Sequence, residues 1–131
     1  MPLIRSAELS DVAEYAYAST VDQPARLIFA AGACPLDAAG GTVCQGDYVG
    51  QARQVMANLA TALAAAGARL DDVVKTTVYV ASSDRADLVT VWQVVRDAFG
   101  DHDPPSTLLG LSVLGYRDQL VEVEAVAAVP H

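Results

Sequence analysis

The feature of the sequence that most constrains its fold is a change of hydrophobic period at Asp47. Before it, apolar residues run in short stretches that predict strands at 3–6, 15–21 and 26–31. After it, they recur every three or four residues, as in a helix with one buried face. This stripe comprises Val49, Ala52, Val55, Met56, Leu59, Leu63 and Ala66. The pattern predicts a helix that begins at Asp47 and is closed by Gly67.

The rest of the chain supplies one more helix and three more strands. A β-branched run predicts a strand at 73–80, and Ser83 or Asp84 can cap the helix that follows and ends at Gly100. Its apolar stripe is Leu88, Val91, Trp92, Val95 and Phe99. Strands are predicted at 106–114 and 120–129, joined as a hairpin through residues 115–118. We expect one domain, residues 1–131, in the order β-β-β-α-β-α-β-β.

Two helices can cover only one face of the predicted sheet. The expected class is therefore α+β, a mixed sheet with both helices on one face. Hydrophobic residues make up 53% of the chain and charged residues 18%, against about 25% charged in an ordinary soluble domain. Because the other face is too apolar for water, a second copy of the chain is the simplest cover. We expect a symmetric oligomer.

The charge balance and the apolar runs argue against two classes of partner. A net charge of −8 with no basic cluster repels phosphate backbones, so we expect no nucleic acid partner. No apolar run reaches membrane-spanning length and no signal peptide is visible, which predicts a cytoplasmic protein without a membrane partner. Cys34 and Cys44 match no zinc spacing and are expected to be reduced. A solvated loop is the favoured interpretation of residues 101–103, whose Asp-His-Asp could otherwise suggest a metal.

Five segments between Tyr15 and Ala127 are weak signals singly and specific together. They are Ala31-Gly32 with Pro35, Gln51-Ala52-Arg53-Gln54 with Asn58-Leu59, Ala66-Gly67-Ala68, residues 72–80 and residues 121–125. In this order they resemble the RidA (YjgF-type) family. The resemblance implies a chorismate-mutase-like fold, a homotrimer with an inner β-barrel, and ligand pockets in the clefts between subunits. It also implies hydrolysis of 2-imino or 2-enamino acids to 2-keto acids and ammonia, without metal or organic cofactor.

In such deaminases an arginine holds the substrate carboxylate and a glutamate on the last strand positions water. The resemblance gives the second role to Glu122, which shares a strand face with Glu124. The alternative is a rim carboxylate or an intersubunit ion pair, and this structural role is the favoured one for Glu124 but not for Glu122. The family's Pro-x-Arg-Ser/Thr motif here reads 104-Pro-Pro-Ser-Thr-107, so Ser106 takes the arginine's position. A serine replaces neither the charge nor the fork of an arginine, whose charged hydrogen bonds contribute about 1.5–3 kcal/mol. Simple 2-imino acids should therefore bind poorly.

The remaining candidates would line the pocket. The resemblance assigns a pocket-lining role to Tyr17, with Tyr15 as a substitute because the loop at 22–25 is about one residue longer here. It assigns the same role to Gly32, where a ligand can approach the backbone. Trp92 stands where the family usually has asparagine, and Cys34 and Leu108 complete the set. Packing is the alternative for the tyrosines, Trp92 and Cys34, and an ordinary turn glycine is the alternative for Gly32. A nucleophilic Cys34 is disfavoured because neither His102 nor His131 lies in an activating motif.

Three functions remain open from the sequence. The first is an enzyme that hydrolyses or tautomerises a small imine, enamine or activated carbonyl compound without a free α-carboxylate. In it Glu122 is the base, and the hydroxyl of Ser106 or Thr107 polarises the substrate. The second is a non-catalytic trimer that binds or senses a small molecule in the same cleft. The third, a ribonuclease, is disfavoured by the net charge of −8.

Overall fold

The computed structural model describes residues 2–12 and 14–130, and His131 lies outside them. Two helices and six strands make up the regular structure, with one 3-10 turn at Leu70–Asp72. The strands are β1 (Leu3–Ile4), β2 (Ala18–Ser19), β3 (Ala25–Ala33), β4 (Val73–Ala81), β5 (Ser106–Leu111) and β6 (Val121–Pro130). The helices are α1 (Tyr48–Ala65) and α2 (Arg85–Phe99). The predicted element order is confirmed, although the first two strands are much shorter than predicted.

The main sheet has the strand order β3-β6-β4-β5, and β1 pairs with β2 in a separate two-stranded sheet. Strand β6 is antiparallel to both of its neighbours, whereas β5 is parallel to β4. Helix α2 makes the crossover between the two parallel strands, as a parallel pair requires. The mixed sheet and two helices confirm the predicted α+β class.

The predicted hairpin between the last two strands is wrong. β5 pairs with β4 at the sheet edge, and β6 lies between β3 and β4. The glycine and aspartate at 115–118 do mark a turn, but a turn signal does not specify the partner of the following strand. Residues 121, 123, 125 and 127 of β6 are all buried, so this strand takes a central position. The loop before it must then pass across β4.

Both helices are capped as their sequences predict. The Asp47 side chain accepts from the Gly50 amide, and Asp84, not Ser83, caps α2 by accepting from the Ala86 amide. Gly67 follows α1 with φ +86°, and the amide of Ala68 donates to the Leu63 carbonyl at 2.8 Å. This is a Schellman ending, in which glycine avoids the strain of positive φ.

The core lies between the two helices and one face of the main sheet. Val55, Leu59 and Leu63 of α1 are fully buried against residues such as Val78 and Val123. Among the described residues, no helix is long and apolar enough to cross a membrane.

The opposite sheet face, here called the open face, carries large apolar side chains without a covering layer in one chain. Leu27 and Leu109 are nearly half exposed, and Phe29 is 74% exposed. Exposed apolar side chains that adjoin one another are a common mark of an interaction surface.

Candidate functional site

Glu122 and Glu124 project from β6 onto the open face, while their neighbours Val121 and Val123 are buried under the helices. The prediction that the two carboxylates share a face is confirmed. Glu124 accepts a hydrogen bond of 2.6 Å from Tyr79 Oη, and this bond raises the pKa of Tyr79. Glu124 thus has a partner within the sheet, in line with the structural role that the sequence favoured for it.

Glu122 lies in a small group of residues, here called the Glu122 cluster: Gly32, Cys34, Gln119 and Glu122. Gln119 Nε2 donates to Glu122 Oε1 at 3.0 Å, and Cys34 Sγ donates to the same oxygen at 3.3 Å. The carboxylate occupies the space beside Gly32, where an added Cβ would lie 2.7 Å from Glu122 Cδ. Glycine at this position therefore leaves the room that the carboxylate fills.

The surroundings of the Cys34 thiol change its pKa. Burial, its hydrogen bond to Glu122 and the negative charge of Glu122 together raise the pKa of Cys34 to about 11. At neutral pH the group is therefore a thiol and a hydrogen-bond donor, which argues against nucleophilic chemistry at this sulfur.

Polar side chains of α1 hold the segment that carries Cys34. Asn58 Nδ2 donates to the carbonyls of Cys34 and Leu36 at 2.8 and 2.9 Å. Gln54 Nε2 in turn donates to Asn58 Oδ1 at 2.9 Å. A groove of about 730 Å³ runs along this segment, and its lining includes Gly32, Cys34 and Asn58. The polar residues of the family resemblance on α1 thus shape the loop beside Glu122.

A second concave region, here called the aromatic cleft, is lined by Tyr15, Trp92, Ser106, Thr107 and Leu108. Its volume is about 370 Å³. The Tyr15 and Trp92 rings stand edge to face with centroids 5.8 Å apart. Tyr17 packs against the edge of Tyr15, at 6.3 Å between centroids, and its hydroxyl donates to the Ser10 carbonyl. Of the two tyrosines, Tyr15 is the one that lines this cleft.

The two hydroxyls of the aromatic cleft differ in their partners. Ser106 Oγ donates to the Pro104 carbonyl at 2.9 Å and lies 2.6 Å from Thr76 Oγ1. Because a serine has one hydroxyl hydrogen, Thr76 is the donor of the second bond. Thr107 Oγ1 instead accepts from Lys75 Nζ at 2.7 Å, which leaves its own hydrogen free to donate. Burial lowers the pKa of Lys75.

Two arginines flank the aromatic cleft, and each is paired with a carboxylate. Arg5 contacts Asp103 at 2.8 Å, and Arg96, one helical turn beyond Trp92, contacts Glu14 at 2.7 Å. Exposed pairs of this kind contribute little stability, but they cancel the local charge. Of the described residues that line the cleft itself, none carries a charge.

The Glu122 cluster and the aromatic cleft are separate in one chain. Ser106 pairs with Thr76 on β4, whereas Glu122 pairs with Tyr79 on the other side of the same strand. The two residues are therefore about 10 Å apart across the strands and about 10 Å apart along them. Ser106 also faces the helices and Glu122 faces away from them. The Glu122 cluster and the aromatic cleft are thus two half-sites, and the Thr107 hydroxyl, bonded to Lys75, faces the same side of the sheet as Glu122.

Sequence reasoning missed Gln119 and Lys75 as members of the site. Gln119 lies in the loop before β6, where a glutamine is ordinarily exposed, yet it is 4% exposed here. Lys75 lies in a strand that was predicted from its valines and threonines, so the lysine itself gave no separate signal. Within the described residues, no group of three His, Cys, Asp or Glu side chains is arranged to hold a metal ion. His102 contacts the Val73 carbonyl at 2.7 Å.

Comparison with known proteins places this fold in one class. Residues 7–129 match the family model described as Endoribonuclease L-PSP. A RutC family protein of Pyrococcus horikoshii is 38% identical over 100 residues, which are 76% of this chain and 77% of that protein. A 2-iminobutanoate/2-iminopropanoate deaminase of Mus musculus is 34% identical over 116 residues, covering 88% and 82% of the two chains.

Solved structures support the same family and show the same fold. A protein of the conserved Rid family from Yersinia pestis, YyfB, superposes with a TM-score of 0.88 at 28% identity, over 98% of each chain. The fold and its relatives thus define a Rid-type α+β protein. The chain belongs to the Endoribonuclease L-PSP family, the same RidA (YjgF-type) family that its sequence motifs resemble.

Because the charge of Glu122 raises the Cys34 pKa, Glu122→Gln should lower that pKa from about 11. The measurement is thiolate absorbance against pH in a Cys44→Ser background, which leaves Cys34 as the one thiol. Glu124→Gln is the matched control, since Glu124 bonds to Tyr79 and not to Cys34. An unchanged Cys34 pKa in Glu122→Gln would show that the carboxylate does not contact the thiol.

Proposed function

We propose that this protein acts on a small imine, enamine or activated carbonyl compound by cofactor-free hydrolytic deamination or tautomerisation. The observation that carries the proposal is the Glu122 carboxylate, which Gln119 and Cys34 hold in the space that the missing side chain of Gly32 leaves. A fixed carboxylate next to a groove is suited to accept a proton from water or substrate. Relatives named as 2-iminobutanoate/2-iminopropanoate deaminases support the reaction class.

In the hydrolytic form, Glu122 accepts a proton as water adds to the imine carbon, and the C=N electron pair moves to nitrogen. Glu122 returns its proton to the nitrogen, and the tetrahedral intermediate then passes its hydroxyl proton to the amine and expels ammonia to leave a carbonyl compound. Thr107, whose oxygen is already bonded to Lys75, supplies a free hydroxyl hydrogen to polarise the substrate. Ser106 can polarise it only by giving up its bond to the Pro104 carbonyl.

We further propose that the aromatic cleft of one chain faces the Glu122 cluster of another in a homotrimer. Three observations support this. The half-sites are too far apart to act together in one chain, the open face exposes Leu27 and Phe29, and the family resemblance implies intersubunit clefts. The ligand would then contact Trp92 and Leu108 from one chain, and Gly32 and Cys34 from the next.

A second candidate function is binding without catalysis. It is favoured by the uncharged lining of the aromatic cleft and by the bonds that already occupy Ser106. In that case a neutral flat ligand would pack against Tyr15 and Trp92, and Glu122 would serve recognition alone. Ribonuclease activity, which the family description names, is disfavoured by the net charge of −8.

The catalytic proposal is tested by ammonia release from imines formed in situ. An amine oxidase supplies imines without a carboxylate, and an amino acid oxidase supplies 2-imino acids. The wild type should accelerate release from the first group more than from the second. Glu122→Gln should lower the rate by about 10²- to 10⁴-fold, the usual effect of losing a general base. Glu124→Gln, the matched control, should retain the rate.

Three outcomes would contradict parts of this proposal. Full activity of Glu122→Gln would exclude Glu122 as the general base. Binding without any rate acceleration would support the second candidate function. Faster turnover of ordinary 2-imino acids would contradict the interpretation of Ser106.

Ser106→Arg should gain affinity for 2-keto acid carboxylates, because it returns a cation to the aromatic cleft. A charged hydrogen bond of about 1.5–3 kcal/mol corresponds to a decrease of about 10- to 150-fold in Kd. Isothermal titration with pyruvate measures it, and Ser112→Arg on an exposed loop is the control for added charge. No gain would mean that the missing arginine is not what excludes these ligands.

A further inference from the structure

Gln119 is a buried glutamine whose side chain is fully engaged. It is 4% exposed, and its two amide hydrogens go to different acceptors. Nε2 donates to the Val121 carbonyl at 3.1 Å and to Glu122 Oε1 at 3.0 Å, while Oε1 accepts from the Tyr116 amide at 3.0 Å. A buried amide with partners on both ends has one defined orientation. Its donor is therefore aimed at Glu122.

The backbone on both sides of Gln119 is fixed by a second buried glutamine, Gln51 of α1. Gln51 Nε2 donates to the Asp118 carbonyl at 2.9 Å, and its Oε1 accepts from the Leu120 amide at 2.7 Å. Asp118 has φ +60°, which an aspartate tolerates better than most residues. These bonds bracket Gln119 and tie its position to the helix. The loop cannot easily follow a displaced carboxylate.

The two bonds to Glu122 divide its oxygens. Both Gln119 and Cys34 donate to Oε1, whereas Oε2 lies toward Gly32. One oxygen is anchored from two directions, and the other points to the position where glycine leaves space. This division is what a carboxylate needs if it is to present one oxygen in a constant direction.

We propose that Gln119 is a positioning residue that, fixed by Gln51, anchors Glu122 Oε1 so that Oε2 faces the ligand. This rests on the role proposed above for Glu122 and adds how its direction is set. Gln119 itself need not contact the substrate. The competing possibility is that Gln119 only stabilises the loop, in which case its loss would not act through Glu122.

The Cys34 thiol tests this without a substrate. In the Cys44→Ser background, Gln119→Leu should release Glu122 from Cys34, and the Cys34 pKa should fall from about 11. We expect a fall of about one pKa unit, a tenfold rise in thiolate at a fixed alkaline pH. If Glu122 stays in place, loss of the Gln119 contact alone should raise the Cys34 pKa, because that contact lowers it. The sign of the change therefore distinguishes the two roles.

A double-mutant cycle excludes simple opening of the site to water. If Gln119→Leu acts through Glu122, it should cause no further fall in a Glu122→Gln background. Equal falls in both backgrounds, or a rise in the single variant, would overturn the proposal. Gln93→Leu on the exposed face of α2 is the matched control and should leave the Cys34 pKa unchanged.

A kinetic arm uses the imine assay. Gln119→Leu should lower kcat with little change in KM, and should lower it no further in the Glu122→Gln background. If Glu122→Gln keeps full activity, the catalytic proposal fails while the thiol cycle still decides whether Gln119 positions Glu122. The two proposals can therefore fail separately.

Discussion

The rest of this structure depends on a sheet with two apolar faces, because the two helices of the chain cover only one of them. Strand β6 shows the constraint most clearly, because residues 121, 123, 125 and 127 are buried under α1 while Glu122 and Glu124 alternate onto the open face. The same face exposes Phe29 and Leu27. Since exposure of such apolar side chains to water is unfavourable, we expect another protein layer on this surface. The acidic groups of interest lie on the face that the single chain leaves open.

The division of the sheet also separates the chemistry. Carboxylate, thiol and buried amide lie together in the Glu122 cluster, whereas the aromatic rings and the Ser106 hydroxyl lie in the aromatic cleft. The intervening strand β4 and the opposite orientations of Ser106 and Glu122 keep the halves apart within one chain. We infer that assembly, and not a conformational change within the chain, completes the site. The uncharged lining of the cleft then shapes which ligand can enter it.

Local patterns in the sequence predicted local structure well. The caps at Asp47 and Asp84 and the glycine ending at Gly67 follow from hydrogen bonds within a few residues, and the alternation of Glu122 with valines sets its face. Family motifs added the segments beside Glu122. These features depend on neighbours in sequence, which is why they could be predicted.

Pairings between distant segments were harder to predict. A turn at 115–118 favoured a hairpin, but the burial of β6 placed it beyond β4. Gln119 gave no signal because its burial depends on Gln51, 68 positions earlier in the chain, which pins the loop from α1. Whether Tyr15 or Tyr17 lines the cleft also depended on the path of the N-terminal segment, which no local pattern sets.

The central claim is that two half-sites on different faces are completed by a second copy of the chain. The most direct test is the molar mass of the full-length protein by light scattering after size-exclusion chromatography at micromolar concentration. We expect three times the chain mass of 13.7 kDa. A stable species of 13.7 kDa would contradict the claim, because the Glu122 cluster and the aromatic cleft would then never meet.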